Sequence, residues 1–429
     1  MIEFDSLRTV TFPFFLMKEI VNTYTFPSGL RLIHILSTAP VAYCGISIDA
    51  GTRDELSTEQ GMAHFCEHMM FKGTEKRKAW HIINRMESVG GDLNAYTNKE
   101  ETVVYSAFMK ENLSRAVELL FDVVYSSTYP QAEIDKEREV IVDEIESYND
   151  SPADLIFDHF ENLIYEGHDL GHDILGQAEN IRRFQTTDAK AFTQRLYKPE
   201  KMVFFVLGDY DFAIVKNTVE KYAPKMALSI SAKAKGETIR KWKSKQNGRF
   251  IIEDRGTHQA HVMIGCAAYG SKDDRRIALY FLNNLLGGPG MNSRLNIALR
   301  ERRGLVYTVE SSLTNYTDTS TWAIYFGCDY EDVDKCCRLV RKELDRLMSA
   351  PLSKAQFLAA MKQIKGQIGV ACDNSENYIL DTAKAFLHYN RFEGIEDTFQ
   401  HLDKLTPEFL QQVAQDIFNP EKLTTLIFK

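Results

Sequence analysis

The segment GMAHFCEHMMFKGT, at residues 61–74, concentrates the side chains best suited to metal binding and catalysis. His64 and His68 are four residues apart, so on a helix both imidazoles project from one face about one turn apart. That spacing lets two ring nitrogens reach one zinc ion, and Glu67 on the same face is placed to take a proton from an attacking water. Cys66 lies about 200° around the helix from His64, which predicts that it packs in the core. The pattern is the HxxEH motif, the inverse of HExxH.

A second segment offers the further donor that such a zinc site needs. A catalytic zinc ion usually has three protein ligands, and the third is often a carboxylate. The helical pattern over residues 131–148 carries five glutamates, which are Glu133, Glu137, Glu139, Glu144 and Glu146. Glu137 and Glu144 are seven residues apart and therefore share one face of the helix. One of the two can bind the metal while the other supports a ligand, and the spacing alone does not choose between them.

The second half of the chain repeats the pattern of the first half without the zinc-binding residues. The segment AYCGISIDAGTRDE at 42–55 aligns with HVMIGCAAYGSKDD at 261–274, which lies 219 positions further on. At this offset, His64, Glu67 and His68 correspond to Asn283, Leu286 and Gly287. We therefore predict an internal duplication of about 200 residues, in which both copies share one fold and only the first copy binds zinc.

The pattern of strands and helices around these segments predicts the elements that position them. Period-two alternation and apolar runs predict strands in four places, which are a hairpin over 22–36, a strand over 42–50, paired strands over 92–109 and a buried strand over 202–208. Helical periodicity predicts helices over residues 60–72, 79–89, 111–126 and 131–148. Strands and helices do not alternate regularly as βαβ units, so we predict an α+β fold.

We predict two homologous domains that are joined by a linker and preceded by a short extension. The predicted limits are 1–21 for the extension, 22–222 for the zinc-bearing catalytic domain, 223–248 for the linker and 249–429 for the zinc-free domain. The linker is a lysine-rich stretch with weak apolar periodicity. Met17, followed by KEIVNTYTF, is an alternative start that would make the first 16 residues an appendage. Each domain is long enough for its own hydrophobic core.

Composition excludes several classes of function. The 429 residues contain 51 Lys and Arg against 60 Asp and Glu, and the net charge of −9 argues against a general nucleic-acid binder. The seven cysteines form no CxxC pair, which suits a reducing compartment and argues against a disulfide scaffold. No run approaches the ~18 apolar residues of a membrane-spanning helix. We therefore expect a cytoplasmic protein that binds neither nucleic acid nor membrane.

Together these segments resemble the M16 metallopeptidases, the inverzincin family that includes insulin-degrading enzyme, pitrilysin and the mitochondrial processing peptidase. The resemblance extends from about Asn22 over nearly the whole chain, and its markers are HFCEHMMFKGT, GGDLNAYTNKEETVVY, KEREVIVDEI, LGHDILG and RLNIALRERRGLVYTV. Chain length and the single zinc motif are most similar to the bacterial two-domain members. The resemblance implies two duplicated domains, each an antiparallel-rich sheet packed with helices, that face each other across a closed chamber.

The resemblance also implies roles for residues of the first half. It makes His64, His68 and Glu144 the ligands of one zinc ion per chain. It makes Glu67 the general base of a peptide hydrolysis. Glu137 then becomes a carboxylate that orients one of the zinc ligands.

Further residues match the parts of family members that contact the substrate. Arg300 and Tyr307 match an Arg and a Tyr that family members direct at the substrate and its tetrahedral intermediate. A guanidinium and a phenol can both donate to a peptide carbonyl or its oxyanion, so their chemistry fits. Asn94, Ala95 and Tyr96 match the edge strand to which family substrates add as another strand, a backbone-led mode that tolerates many sequences.

The implied activity is that of a zinc-dependent endopeptidase acting on short or unfolded peptides. With two domains per chain, the resemblance implies a homodimer with composite active sites, in which each zinc site faces Arg300 and Tyr307 of the partner subunit. A heterodimer with a related non-catalytic subunit is the alternative assembly. The loop with Gly287, Gly288 and Gly290 is shorter than the glycine-rich loop of the processing peptidase α subunit, which argues against presequence-type recognition.

Other interpretations remain beside this one. A non-catalytic structural or partner subunit would have lost zinc ligands or the base, whereas this sequence has the whole set. A purely structural zinc is less suited to a three-ligand site with a neighbouring glutamate. Arg300 has the alternative of a solvated charge, and Tyr307 that of a half-buried strand aromatic. His168 and His172 are also four apart, but their neighbouring glycines favour a loop.

Overall fold

The computed structural model describes residues 19–223 and 248–429. The predicted extension at 1–21 and the predicted linker at 223–248 therefore lie almost entirely outside the described residues, as does the alternative start at Met17. Within the described residues, each half of the chain builds one β-sheet. No helix in these two described ranges is both long enough and apolar enough to cross a membrane.

The first sheet has six strands in the order β1-β2-β6-β3-β5-β4. Its strands are β1 (Val21–Thr25), β2 (Arg31–Leu36), β3 (Val41–Ile48), β4 (Asp92–Thr97), β5 (Thr102–Met109) and β6 (Met202–Gly208). Only β2 and β6 pair in parallel, and the other neighbours are antiparallel. Strand β6 is buried along its whole length, as its continuous apolar run predicts.

The second sheet repeats this topology with five strands in the order β7-β11-β8-β10-β9. Its strands are β7 (Phe250–Glu253), β8 (Ala260–Ala268), β9 (Val306–Asn315), β10 (Ser320–Cys328) and β11 (Thr424–Phe428). The parallel pair β7/β11 takes the place of β2/β6, and the remaining pairs are again antiparallel. The predicted α+β class and the duplication of one fold are therefore confirmed.

Helices surround both sheets in the same chain order in the two halves. The first half has α1 (Met62–Met70), α2 (Ala79–Glu87), α3 (Leu113–Tyr125), α4 (Gln131–Asn149), α5 (Pro152–Ile164), α6 (Ala178–Ile181), α7 (Thr186–Leu196) and α8 (Phe212–Tyr222). The second half has α9 (Arg275–Gly287), α10 (Val333–Ser349), α11 (Lys354–Ala371), α12 (Ser375–Tyr389), α13 (Ile395–Asp403) and α14 (Pro407–Ile417), with a π-helical segment at Asn296–Glu301. The four helices predicted in the first half are confirmed to within about two residues at each end.

The two halves exchange one helix each. Helix α12 of the second half packs on β3 and β6 of the first sheet, where Phe386 and Leu387 join a buried cluster with Phe205. Helix α5 of the first half packs on β8, β10 and β11 of the second sheet, where Phe160 joins a cluster with Phe428. Each half thus buries only one face of its sheet with its own helices. The expectation that each domain has a core of its own holds for that face alone.

Two glycines, one in each half, mark the end of equivalent strands. Gly51 follows β3, and a Cβ on it would lie 2.5 Å from the Asn98 carbonyl oxygen, in the turn between β4 and β5. Gly270 follows β8, and a Cβ there would lie 2.5 Å from the Asp318 carbonyl oxygen, in the turn between β9 and β10. Both copies need glycine at this position because the hairpin turn packs directly against the backbone.

Candidate metal centre

The helix that carries the HxxEH motif has a strongly defined start. Gly61 precedes α1 with φ 94°, a conformation that glycine adopts without strain. The buried Glu55 carboxylate accepts from the backbone N–H groups of Gly61 at 3.0 Å and Ala63 at 2.8 Å. An oxygen acceptor here satisfies N–H groups that the first turn of a helix leaves unpaired. His172 lies 3.1 Å from the same carboxylate, so the loop with LGHDILG supports the start of α1.

The side chains of α1 and α4 bring three potential ligands together. His64 Nε2 lies 3.8 Å from Glu144 Oε1, and His68 Nε2 lies 3.7 Å from Glu144 Oε2. One ligand atom from each residue lies within 4.8 Å of the other two, and no other such group of three occurs in the described parts of the chain. The Glu144 side chain is 43% exposed, so the group opens to the surface of α4.

Glu137 lies behind this group and contacts the opposite nitrogen of His68. His68 Nδ1 lies 2.9 Å from Glu137 Oε1, and Lys72 Nζ lies 2.7 Å from Glu137 Oε2. Burial opposes ionisation of Glu137, but the hydrogen bonds from His68 and Lys72 outweigh it and lower the pKa of this carboxyl group. An ionised carboxylate only accepts, so Nδ1 carries a proton, and Nε2 is the nitrogen that faces Glu144. The structure thereby separates the two glutamates that spacing alone left equivalent.

His64 is buried in the form that binds metals. Burial and the charge of His68 lower the pKa of His64 to about 3, so its imidazole is neutral at pH 7. Its Nδ1 has no hydrogen-bond partner among the described residues. Two imidazoles and one carboxylate around an open position are the donor set of catalytic zinc sites, and these residues therefore fit a zinc ion.

Glu67 lies beside the ligand group and is linked to the edge strand. Its side chain is largely buried, and the Thr97 hydroxyl at the end of β4 lies beside its carboxylate. Burial raises the pKa of Glu67, although the Thr97 hydrogen bond and the charge of His68 oppose the rise. A carboxylate with a raised pKa is a better proton acceptor near neutral pH, which suits a general base. Cys66 is fully buried, as its position on the helix predicts.

The predicted substrate-binding residues lie on the outer strand of the first sheet. Asn94, Ala95 and Tyr96 belong to β4, which packs against α1 and pairs with β5 alone among the described strands. Its outer side therefore presents backbone groups without a strand partner in the described residues, which is the requirement for adding a further strand.

Arg300 and Tyr307 lie elsewhere, in a cavity of about 470 Å³ in the second half. Its lining comes from α9, the glycine loop, the π-helical segment and β9, and none of the zinc-site residues borders it. Tyr307 is 87% exposed, so the alternative of a half-buried strand aromatic is wrong. Arg300 is half exposed, and its nearest acidic partner is Glu301 at 3.9 Å. Within one chain, the described structure does not bring these two residues to the zinc site.

At the place equivalent to the zinc site, the second half has different side chains and different contacts. Asn283, at the position of His64, lies 2.5 Å from the Ser311 hydroxyl on β9, and Trp322 donates to the same hydroxyl at 3.1 Å. Gly287, at the position of His68, lies so close to β9 that a Cβ would approach the Ser311 nitrogen to 2.5 Å. A ligand side chain therefore has no room at this position.

Several residues of the site lack a clear signal in the sequence. Glu55 and His172 support the start of α1, Lys72 pairs with Glu137, and Thr97 holds Glu67. Each acts across a tertiary contact rather than at a helical or strand spacing. The segments TRDEL and LGHDILG drew attention only through the repeat and the family resemblance. The prediction of a loop around His172 is confirmed.

Family models match both halves of the chain. The model described as Insulinase (Peptidase family M16) matches residues 32–178, and the model described as Peptidase M16 inactive domain matches residues 183–364. The second description agrees with the absence of zinc ligands at Asn283 and Gly287.

Relatives and solved structures align over most of the chain. An uncharacterized zinc protease of Mycobacterium leprae is 30% identical over 92% of this chain and 88% of its own length. The β subunit of the mitochondrial-processing peptidase of Rattus norvegicus is 31% identical over 90% of this chain and 80% of its own length. The crystal structure of a protease from Helicobacter pylori superposes with a TM-score of 0.89, at 22% identity, over 96% of this chain and 99% of that one.

Proposed function

The chain belongs to peptidase family M16, the insulinase family, and on this premise we propose that it is a zinc-dependent endopeptidase. The proposal rests most on one observation. Two imidazole nitrogens and a carboxylate converge within 4.8 Å, next to a buried glutamate that lies beside the end of the outer strand β4. Ligands, base and a surface for an extended peptide thus adjoin one another.

In this proposal His64, His68 and Glu144 hold one zinc ion per chain. Bound zinc polarises a carbonyl group and lowers the pKa of a water molecule. Glu67 accepts a proton as the water oxygen attacks the peptide carbon, and then gives that proton to the departing amine nitrogen, which restores the carboxylate. Glu137 keeps the proton of His68 on Nδ1, which holds Nε2 ready for the metal.

The substrate is a peptide that adds to β4 as a further strand. Backbone groups of Asn94, Ala95 and Tyr96 then pair with the peptide backbone, so most of the affinity does not depend on the peptide sequence. A folded protein rarely offers an extended segment with unpaired backbone groups, whereas a short or unfolded peptide does. The link from Thr97 to Glu67 supports this placement, because it sets the base at the end of the same strand.

The zinc-free domain completes the site from a second subunit. We propose a homodimer with a closed chamber, in which Arg300 and Tyr307 of the partner subunit donate to the oxyanion. Their exposure, and their separation from the zinc site within one chain, support this arrangement. The catalytic domain spans residues 22–222 and the zinc-free domain residues 249–429. The seven cysteines, of which none forms a disulfide in the described structure, support a cytoplasmic location.

A non-catalytic partner subunit of a heterodimer is the second candidate. One relative is the β subunit of the mitochondrial-processing peptidase, which favours an assembly of unlike chains. The chain keeps His64, His68, Glu144 and Glu67, however, and a non-catalytic subunit has no need of this set. We therefore prefer the catalytic role.

Metal analysis combined with digestion of an unbiased peptide library tests the proposal. The purified chain is expected to contain one zinc ion and to cut peptides at internal bonds, and a chelator should abolish cleavage. Glu67→Gln should keep the zinc and lose roughly 10³-fold in kcat, because general acid–base catalysis contributes about 10²–10⁴-fold. Glu139→Gln, an exposed change on the same helix as Glu144, is the matched control and should behave like the wild type.

Full activity in Glu67→Gln would overturn the mechanism. Removal of single residues from peptide ends would leave a peptidase but contradict the internal cleavage. A zinc-loaded wild type that cuts no peptide would favour the non-catalytic subunit.

A further inference from the structure

The two hairpin turns that follow the outer strands meet at the boundary between the halves. One turn, at residues 98–101, joins β4 to β5, and its equivalent, at 316–319, joins β9 to β10. Thr317 donates to the Glu100 carboxylate through its backbone nitrogen at 2.9 Å and its hydroxyl at 2.7 Å. Each turn is buried in part by the other, so the position of one outer strand depends on the opposite half.

Helix α12 contacts the first of these turns through Glu101, and both oxygens of this carboxylate have a partner on the helix. Lys384 Nζ lies 2.9 Å from Glu101 Oε1, and His388 Nε2 donates to Glu101 Oε2 at 2.8 Å. The Glu101 side chain has no exposed surface, so these contacts are made away from water, where charge-assisted hydrogen bonds are strong.

The exchanged helix α5 makes the equivalent contact in the other direction. Glu161 and Tyr165 lie 223 positions before Lys384 and His388, one turn apart at the end of α5. Thr321, at the start of β10, donates to Glu161 at 2.9 Å, and its hydroxyl oxygen lies 3.0 Å from the Tyr165 hydroxyl. Equivalent contacts thus hold the turn after β9, with a carboxylate and a phenol on the helix and a hydroxyl group on the strand.

A short chain of contacts leads from Glu101 to the base. The Asn98 side chain donates to Glu101 Oε1 at 2.5 Å, and the Glu101 backbone nitrogen donates back to Asn98 Oδ1 at 2.9 Å. Asn98 directly follows Thr97, the last residue of β4, which packs against α1 and has its hydroxyl beside Glu67. A shift of the turn therefore moves the residue that lies beside the base, whereas among residues 19–223 and 248–429 no acid or base of the site adjoins the end of β9.

We propose that Lys384 and His388 are positioning residues for peptide hydrolysis, which act from the second half through Glu101, Asn98 and Thr97 on Glu67. This inference rests on the proposed function of the zinc site. It gives the zinc-free half a second task within its own chain, in addition to the task of Arg300 and Tyr307 across the dimer. Thr97 is the residue of β4 next to the turn, whereas Asn94, Ala95 and Tyr96 lie further along the strand, so the loss is expected in kcat more than in KM.

The test compares Lys384→Met, Lys384→Arg and Tyr165→Phe in the full chain, with kcat, KM, zinc content and thermal midpoint measured for each. Lys384→Met keeps the aliphatic stem and removes the charge, and should lower kcat about tenfold with KM changed less than about twofold. Lys384→Arg should restore kcat to within about twofold, because it restores a donor to Glu101. Tyr165→Phe, the matched change at the other turn, should lower the thermal midpoint without lowering kcat.

An unchanged kcat in Lys384→Met, with an active wild type, overturns this inference alone. A fall in kcat of the same size in Tyr165→Phe also overturns it, because the effect would then follow from general destabilisation. An inactive, zinc-loaded wild type overturns the proposed function itself, and this inference with it.

Discussion

The region of α1 and β4 and the region of α9 and β9 have the same architecture and opposite chemical content. In the first, His64 and His68 face a glutamate from α4 across an open space. In the second, Asn283 is bonded to Ser311, and β9 fills the space beside Gly287. The second copy has therefore lost the room for a ligand as well as the ligand itself. Because β9 packs this closely against α9, replacing Gly287 alone does not provide room for a ligand side chain.

The largest expected effect tests whether the two regions work as one site across a dimer. Glu67→Gln disables the first region, and Tyr307→Phe weakens the second by roughly 10²-fold if its hydroxyl stabilises the oxyanion. Mixing the two variants forms dimers with one wholly intact composite site, so about a quarter of wild-type activity should return when subunits exchange freely. Turnover of a peptide substrate is measured before and after mixing.

Each variant mixed with itself is the control for that experiment. Activity of the mixture no higher than the average of the two variants, with exchange demonstrated by tagged chains, would show that Tyr307 does not act on the partner's zinc site.

Local spacing predicts the parts of the first region that lie within one element. The pairs His64/His68 and Glu137/Glu144 each share a helix face, and the structure places them on facing sides of α1 and α4. The choice between the two glutamates depends on how α4 packs against α1, and periodicity does not contain that packing. The strand over 202–208 is predictable because its burial on both faces produces an uninterrupted apolar run.

The exchange of α5 and α12 is not predictable from the same patterns. An amphipathic helix shows that it has an apolar face, but it does not show which sheet that face covers. Glu101 and Lys99 look like part of a solvated charged turn in the sequence NKEE, yet both are buried. Their partners lie on elements far away in the chain, such as His388 on α12.

A smaller effect, the pH dependence of the free energy of unfolding, distinguishes the contacts that hold the two hairpin turns. Burial opposes ionisation of Glu101, but the hydrogen bond from His388 and the charge of Lys384 outweigh it and lower the pKa of Glu101 from 4.5 to about 2. A lowered pKa contributes stability that is complete above pH 4.5 and disappears as the pH falls toward 2. The loss is about 3 kcal/mol, at about 1.36 kcal/mol per pKa unit.

Denaturant unfolding of the wild type and of Glu101→Gln between pH 2 and 7 measures this contribution, and the difference between them should shrink as the pH falls. The pKa of His388 is raised, because its contacts with Glu101 outweigh its burial. The stability that His388 contributes is therefore complete below pH 6.5 and declines as the pH rises through the raised pKa. Tyr165→Phe should show a difference that does not vary over this range. A constant difference for Glu101→Gln would contradict the charged contact.

The smallest expected effect concerns the space beside β9. Gly287→Ala adds a Cβ close to the Ser311 backbone and should destabilise the protein by about 1–3 kcal/mol through overpacking. Gly366→Ala, at a glycine of α11 where the new Cβ meets nothing within 4 Å beyond the backbone of its own helix, is the control and should stabilise by about 0.5–1 kcal/mol. Both values come from denaturant unfolding. Equal effects at the two glycines would mean that β9 leaves room for a side chain after all.

The exchange of helices also determines when each sheet face is covered during synthesis of the chain. The face of the first sheet that carries Phe205 is complete once β6 has been made, but its cover, α12, follows only after most of the second half. Arg31 on β2 donates to the carbonyl of Phe386, a contact between residues 355 positions apart. Contacts of such long range close late, so an emerging chain carries an apolar sheet face in water until its last third has left the ribosome.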